Sequence, residues 1–189
     1  WEDSLNFPKI LILGSNEGSK AFCAGGDVKA ILQLKKDNQS PEKLMEFFKE
    51  EYIIQYYLAN LESKGVVTVA FWDGIVMGGG VGLSLRATHR LATEKTVFAM
   101  PENVIGLFPD IGFSYNAQSI SEGLGRALML GGLKLKAEET VYSSLATNLI
   151  KSEQVSLIKK EIIEINESDI ELRNLKIKKI LSKYNNDNY

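Results

Sequence analysis

Apolar residues follow two different periods along this chain, and the change from one to the other predicts a layered α/β domain. Short unbroken apolar runs at residues 9–14 (KILILG) and 66–72 (VVTVAFW) read as strands buried in a parallel sheet. Glycine closes the first run, and an Asp73-Gly74 turn closes the second. Residues 91–93 and 96–100 predict two further strands joined at Glu94-Lys95, and residues 145–150 predict a last one. Elsewhere the spacing is helical. One helix is predicted over 28–36, capped by Asp27. A longer one runs over 41–61, started by Ser40-Pro41. Its apolar residues form two stripes, Phe47, Ile54, Leu58 and Leu61 beside Leu44, Phe48, Tyr52 and Tyr56, which read as core packing. Further helices are predicted over 81–87, 113–120, 123–130 and 137–144, with Gly131-Gly132 as a stop. From Ser152 two charged amphipathic helices follow. The second is capped by Ser168 and has Ile170, Leu172, Leu175, Ile177, Ile180 and Leu181 as apolar positions, before a polar end at 185–189 that is expected to fray.

Two glycine-rich turns interrupt this pattern. Residues 15–27 (SNEGSKAFCAGGD) follow the first strand and leave backbone N–H groups open, which alone reads as a strand–helix turn. Gly78, Gly79 and Gly80 lie between the run at 75–77 and a helix, so the first N–H groups of that helix converge on a point suited to an anion or a developing oxyanion. Beyond them stand two acids eight positions apart, Glu102 and Asp110, separated by the apolar residues 104–109. Surface loops are seldom so apolar. Carboxylates in an apolar wall are expected to have perturbed proton affinity, as acid–base or nucleophilic chemistry near neutral pH requires. The stretch 74–112 therefore reads as an active site.

Composition narrows the chemistry. At 189 residues, with 44% hydrophobic and 24% charged residues, the chain has the values of one ordinary globular domain. A net charge of −2 offers no general field for nucleic acid, and the lysines at 176–183 alternate with apolar residues as on a solvated helix face. A single cysteine, Cys23, rules out an internal disulfide and fits a reducing compartment. No run approaches the length of a membrane span. The lone histidine, His89, has no cysteine or second histidine nearby, so a structural role is expected and no metal site. Leu83 breaks the dinucleotide fingerprint that would start at Gly78, and no Gly-Lys-Ser/Thr or Gly-x-Ser-x-Gly is present.

Three segments taken together, KAFCAGGDV at 20–28, DGIVMGGGVGLS at 73–84 and FAMPENVIGLFPDIG at 98–112, resemble the crotonase (enoyl-CoA hydratase/isomerase) superfamily, and within it the 3-hydroxyisobutyryl-CoA hydrolase branch. The resemblance covers residues 1–160 in unbroken order. It implies an α/β fold of stacked β-β-α turns, a crotonase-like superhelix with C-terminal helices, binding an acyl-CoA thioester. Residues 1–151 would then be a partial core and 152–189 a C-terminal helical segment. By resemblance, the N–H groups of Gly26 and Gly79 hold the thioester oxygen, Glu102 is the catalytic glutamate and Asp110 its acidic partner. Glu51 maps onto a substrate-contacting glutamate, and Ala21, Ala24, Asp27 and Val28 onto the loop at the adenine end of CoA. Coenzyme A belongs to the substrate, so no separate cofactor is expected, nor a nucleic-acid or membrane partner. A homo-oligomer or larger assembly is left open, and a mitochondrial location follows from the resemblance.

Departures from the family pattern carry their own expectations. Hydratases of the superfamily place a second glutamate where this chain has Gly82, which favours thioester hydrolysis over hydration. Ser63-Lys64-Gly65 replaces a Lys-Pro pair, with a small insertion that affects the register of Glu51. Phe113 stands where glycine is common and is expected to narrow the pocket. The chain opens on Trp1 and enters the family pattern after its first strands and helix, and it ends before the last helical region, as a fragment or a reduced member would. Two functions are weighed. The first is an acyl-CoA thioester hydrolase with its glycines and acids intact. The alternative is a non-catalytic subunit of the same fold, as in mitochondrial ribosomes. A double-bond hydratase ranks third.

Overall fold

A computed structural model describes residues 8–185. Two four-stranded sheets organise it. The first has the order β1 (Ile10–Leu13), β3 (Val67–Trp72), β5 (His89–Thr93), β8 (Asn148–Ile150), all parallel. The second has the order β2 (Ala21–Cys23), β4 (Ile75–Met77), β6 (Val97–Ala99), β7 (Leu135–Lys136), and only the last pairing is antiparallel. The chain thus lays one strand in the first sheet, turns, lays the next in the second sheet, and repeats. β1–β2, β3–β4 and β5–β6 are successive turns of one superhelix. Helices α1 (Val28–Lys36) and α2 (Pro41–Ala59) follow the first turn, and α3 (Gly79–Ser84) follows the second.

β3 is buried along its whole length because both of its faces are covered. Ala70 and Trp72 point between the sheets, into a core with Phe98, Phe113 and Leu128, the last from α5 (Glu122–Gly131). Val67, Val69 and Phe71 point the other way, as the period of two requires. There α7 (Val155–Ile163) and α8 (Ile170–Leu181) close the outer face of the first sheet with Ile158, Ile162, Ile177 and Leu181. Trp72, Ser84 and His89, buried in these layers, have their side-chain polar groups paired. Trp72 Nε1 donates to Ser84 Oγ at 2.9 Å, and Ser84 Oγ to the Gly80 carbonyl at 2.9 Å. His89 is buried with Nε2 at 2.6 Å from Asn174 Oδ1, the satisfied structural histidine expected, and burial holds its pKa down.

Several boundaries differ from the sequence expectation. β2 lies inside the small-residue stretch at 15–27, where a turn alone is expected. The cap of α8 is Asp169, which accepts from Leu172 N at 2.8 Å, and not Ser168; a carboxylate one residue later reaches the free N–H group. Asp27 does cap α1, accepting from Ala30 N at 3.0 Å. The two stripes are core only in part: Leu61, just past α2, is fully buried, and Leu44, Phe47, Phe48 and Leu58 are half-buried. Gln55 is the one buried residue within α2, while Tyr52, Ile53, Ile54 and Tyr56 are exposed, so α2 lies over the surface of the domain. The end expected to fray falls, but for Asn185, outside the described residues. None of the described helices is long and apolar enough to cross a membrane.

Candidate active site

The turn after β4 carries the triple glycine. Gly78 has φ +52° and ψ −124°, a conformation open to glycine, and from it α3 starts inward. A Cβ would be obstructed at each of the next two positions. A Cβ on Gly80 would run into the carbonyl oxygen of Cys23, and one on Gly79 would meet Glu51 Oε1 and lie 3.3 Å from the backbone nitrogen of Gly26. The two glycines named for the oxyanion role, 53 positions apart in the sequence, are therefore neighbours. α3 has only six residues, so this closeness comes from the two turns together and not from a helix end alone.

Glu102 follows Pro101 at the end of the segment after β6 and opens a short 3₁₀ turn, Glu102–Ile105, closed by Gly106 at φ +78°. Its carboxyl group sits under the glycine turn. Oε1 lies 2.9 Å from where a Cβ on Gly78 would be, so glycine at 78 is what lets the acid approach the backbone. Glu102 is 8% exposed, and its Oε2 is buried with no hydrogen-bond partner among the described residues. Burial raises its pKa, and the nearby charges of Asp110 and Glu51 add to that, against a backbone hydrogen bond that lowers it. Asn103 Nδ2 anchors the same turn to the Leu130 carbonyl at 2.5 Å.

Asp110 lies at the far end of the loop, where its carboxylate accepts a hydrogen bond from Tyr52 Oη at 2.7 Å. The apolar residues between the acids do not form the buried wall expected. Val104, Ile105, Leu107 and Phe108 are 79, 56, 44 and 71% exposed, because the 3₁₀ turn lifts them off the core. Val104, Ile105 and Leu107 form instead the rim of a cavity of about 450 Å³, shared by Gly26, Gly79, Glu51, Glu102 and Asp110. Phe113 does not narrow that cavity. It is fully buried between the sheets, with its ring centroid 6.1 Å from that of Phe98.

Glu51 enters from α2. Gln55 Nε2, one helical turn on, donates to Glu51 Oε1 at 3.1 Å and occupies the space over Gly82, where a Cβ would come within 2.5 Å of it. Glu51 is therefore half-buried on the site side of α2 and not a freely solvated acid. Its pKa is raised by burial and then by Asp110, against the Gln55 hydrogen bond. A second chamber of about 250 Å³ lies behind it, lined by Asp27, Glu50, Ile54 and Leu83 and sharing Gly26, Gly79 and Glu51 with the first. Ala24 and Val28 line the larger chamber. Ala21 lines neither chamber; it pairs with Ile75 inside the second sheet. A wider groove of about 900 Å³ along the outer face of α2 contains Tyr52 but none of the glycines or the three acids. Tyr52 is the site residue that sequence reasoning missed, since it was absorbed into a helical stripe.

A superhelix of β-β-α turns with paired glycine turns facing a buried glutamate defines the class, and sequence comparison agrees. The profile of the enoyl-CoA hydratase/isomerase family matches residues 1–189, and the chain belongs to that family. Among individual proteins it is 39% identical over 171 residues to the mitochondrial 3-hydroxyisobutyryl-CoA hydrolase of Rattus norvegicus, covering 90% of this chain and 43% of that one. It is 35% identical over 189 residues to the Xenopus tropicalis protein of the same name, covering 100% of this chain and 46% of that one. The chain thus spans less than half the length of these relatives. Among solved structures, a carnitinyl-CoA dehydratase from Mycobacterium thermoresistibile superposes with a TM-score of 0.79 at 25% identity, over 96% of this chain and 48% of that one.

Proposed function

We propose that this chain carries the catalytic half of an acyl-CoA thioester hydrolase acting on 3-hydroxyisobutyryl-CoA or a similarly short hydroxyacyl thioester. The observation that carries the reading is Glu102, a buried carboxyl group with one oxygen unpartnered, set beside the paired glycine turns on a cavity wall. In this reading the thioester oxygen lies between the N–H groups of Gly26 and Gly79, which stabilise the charge it gains in the transition state. Glu102 attacks the acyl carbon or activates water, and Asp110 positions the attacking group and handles protons. Overall, the oxygen of water bonds to the acyl carbon, the carbon–sulfur bond breaks, and the departing CoA sulfur takes a proton. The raised pKa of Glu102 brings proton exchange closer to neutral pH. Glu51, at the glycine pair, contacts the substrate, and Ala24, Asp27 and Val28 lie toward CoA.

The names of these relatives support the acyl group and a mitochondrial location, and a place in valine breakdown is part of the same proposal. Gly82 with Gln55 above it supports hydrolysis over hydration, since no second glutamate stands there. The experiment is release of free CoA from 3-hydroxyisobutyryl-CoA, followed with a thiol reagent, by the full chain and its Glu102→Gln variant. Turnover lost in the variant is expected. Faster hydration of crotonyl-CoA would overturn the branch, and a folded chain with no turnover would favour a non-catalytic scaffold.

A further inference from the structure

Asp110 stands on a stretch with no regular structure of its own. The four residues at 107–110 lie outside any helix or strand. The chain then passes through two successive positive-φ residues, Ile111 at +48° and Gly112 at +70°, before α4 (Phe113–Ala117) begins. A β-branched residue in that region is strained, and strain persists only where the surroundings hold it. A loop carboxylate needs an external brace to keep one orientation. Among the described residues, the side chain that hydrogen-bonds the Asp110 carboxylate is Tyr52, 58 positions away on α2. Its neighbour in sequence, Glu51, faces the glycine pair.

We propose that Tyr52 is a positioning residue of this site, its hydroxyl tying the Asp110 carboxylate to α2 and so fixing Asp110 relative to Glu102 across the cavity. A hydroxyl suits the task. It donates a hydrogen bond to the carboxylate without bringing a charge among three acids, and at 2.7 Å the bond has the length of a charge-assisted one. One turn of α2 then sets both ends of the site, Glu51 at the glycines and Asp110 at the loop. Partial desolvation of its hydroxyl, the hydrogen bond to Asp110 and the charges of Asp110 and Glu51 also hold the Tyr52 proton above the ordinary tyrosine range. The proposal rests on the hydrolase reading for its kinetic consequence and on the 2.7 Å bond for the rest.

Tyr52→Phe removes the hydroxyl and keeps the ring, whose centroid lies 6.3 Å from that of Phe48. The expected result is a kcat about tenfold lower for CoA release, as for loss of one charge-assisted hydrogen bond, with KM within about twofold. Wild-type kcat and KM in Tyr52→Phe, alongside inactivity of Glu102→Gln, would overturn the positioning role and leave the hydrolase standing. The second arm needs no turnover. With tyrosines labelled at Cζ, the Tyr52 resonance is titrated in the wild type and in Asp110→Asn, where it is expected to move and to titrate at lower pH. An unchanged Tyr52 titration would overturn the brace, whether or not the chain proves a hydrolase and whether or not Tyr52→Phe folds.

Discussion

Arg173 donates Nη1 to the carbonyl oxygen of Lys9 at 2.8 Å, joining the last helix to the residue just before the first strand. The same nitrogen reaches the Gly65 carbonyl at 2.6 Å, and Nε and Nη2 reach the carbonyls of Glu167 and Ser168 at 3.1 and 2.7 Å. At 2% exposure this guanidinium is buried among carbonyl dipoles. Its planar fork is what lets one side chain serve four acceptors. Arg173→Ala would leave the Gly65, Glu167 and Ser168 carbonyls without this donor, the Lys9 oxygen keeping Val67 N, and would open a cavity, at a cost of about 3–5 kcal/mol in denaturant unfolding. Arg173→Lys is expected to rescue only part of that, since an ammonium cannot span the same acceptors.

Within the triple glycine, adjacent substitutions should fail for different reasons. A Cβ on Gly80 meets backbone, the Cys23 carbonyl, which cannot step aside. Gly80→Ala should therefore destabilise the fold by about 1–3 kcal/mol, measured by chemical denaturation. At Gly79 the nearest atom is the end of the Glu51 side chain, which can swing away. Gly79→Ala should fold within about 0.5 kcal/mol of the wild type. It crowds the gap to Gly26, however, and turnover should fall by about 100-fold or more.

Glu102 makes the stability of the fold depend on pH in a defined direction. Its folded-state pKa lies above the ordinary value of 4.5, chiefly through burial. The folded chain therefore binds this proton more tightly than the unfolded chain. The associated stability is fully present below the unfolded value and is lost as pH rises through the folded one. Glu102→Gln removes the penalty of a buried charge. The variant should melt at a higher temperature than the wild type at pH 7, with the difference closing as pH falls through the folded-state value to 4.5. A constant difference between pH 4 and 7 would show that Glu102 titrates as it does in the unfolded chain.

Much of the candidate site was legible in the chain because the residues that mark it are grouped locally. A triple glycine after a strand, and two acids flanking a short loop, need no tertiary knowledge to stand out. The strands of the first sheet were legible too, since burial on both faces leaves an unbroken apolar run such as 66–72. What escaped has a common physical cause. Ala21–Cys23 and Leu135–Lys136 are too short to show a period and exist as strands only through their partners β4 and β6. Helical spacing cannot tell a side chain facing a core from one facing a cavity, so Tyr52 passed as packing. Arg173 reads as a surface charge on a helix because only the folded chain gathers the carbonyls it serves. Apolar residues at 104–108 signal a rim as readily as a wall when the ligand is what completes their burial.

α2 offers its own handle on how the site comes and goes. A helix of 19 residues with one buried side chain draws little of its order from the sheets beneath it. Yet it delivers Glu51 to the glycines and Tyr52 to Asp110. Such a segment opens at a lower free energy than the fold as a whole, so its amides should exchange with deuterium well before those of β3. Site assembly is then an equilibrium separate from global unfolding. A molecule that bridges the glycines and the acids draws α2 down by mass action and should slow exchange along that helix while leaving β3 unchanged.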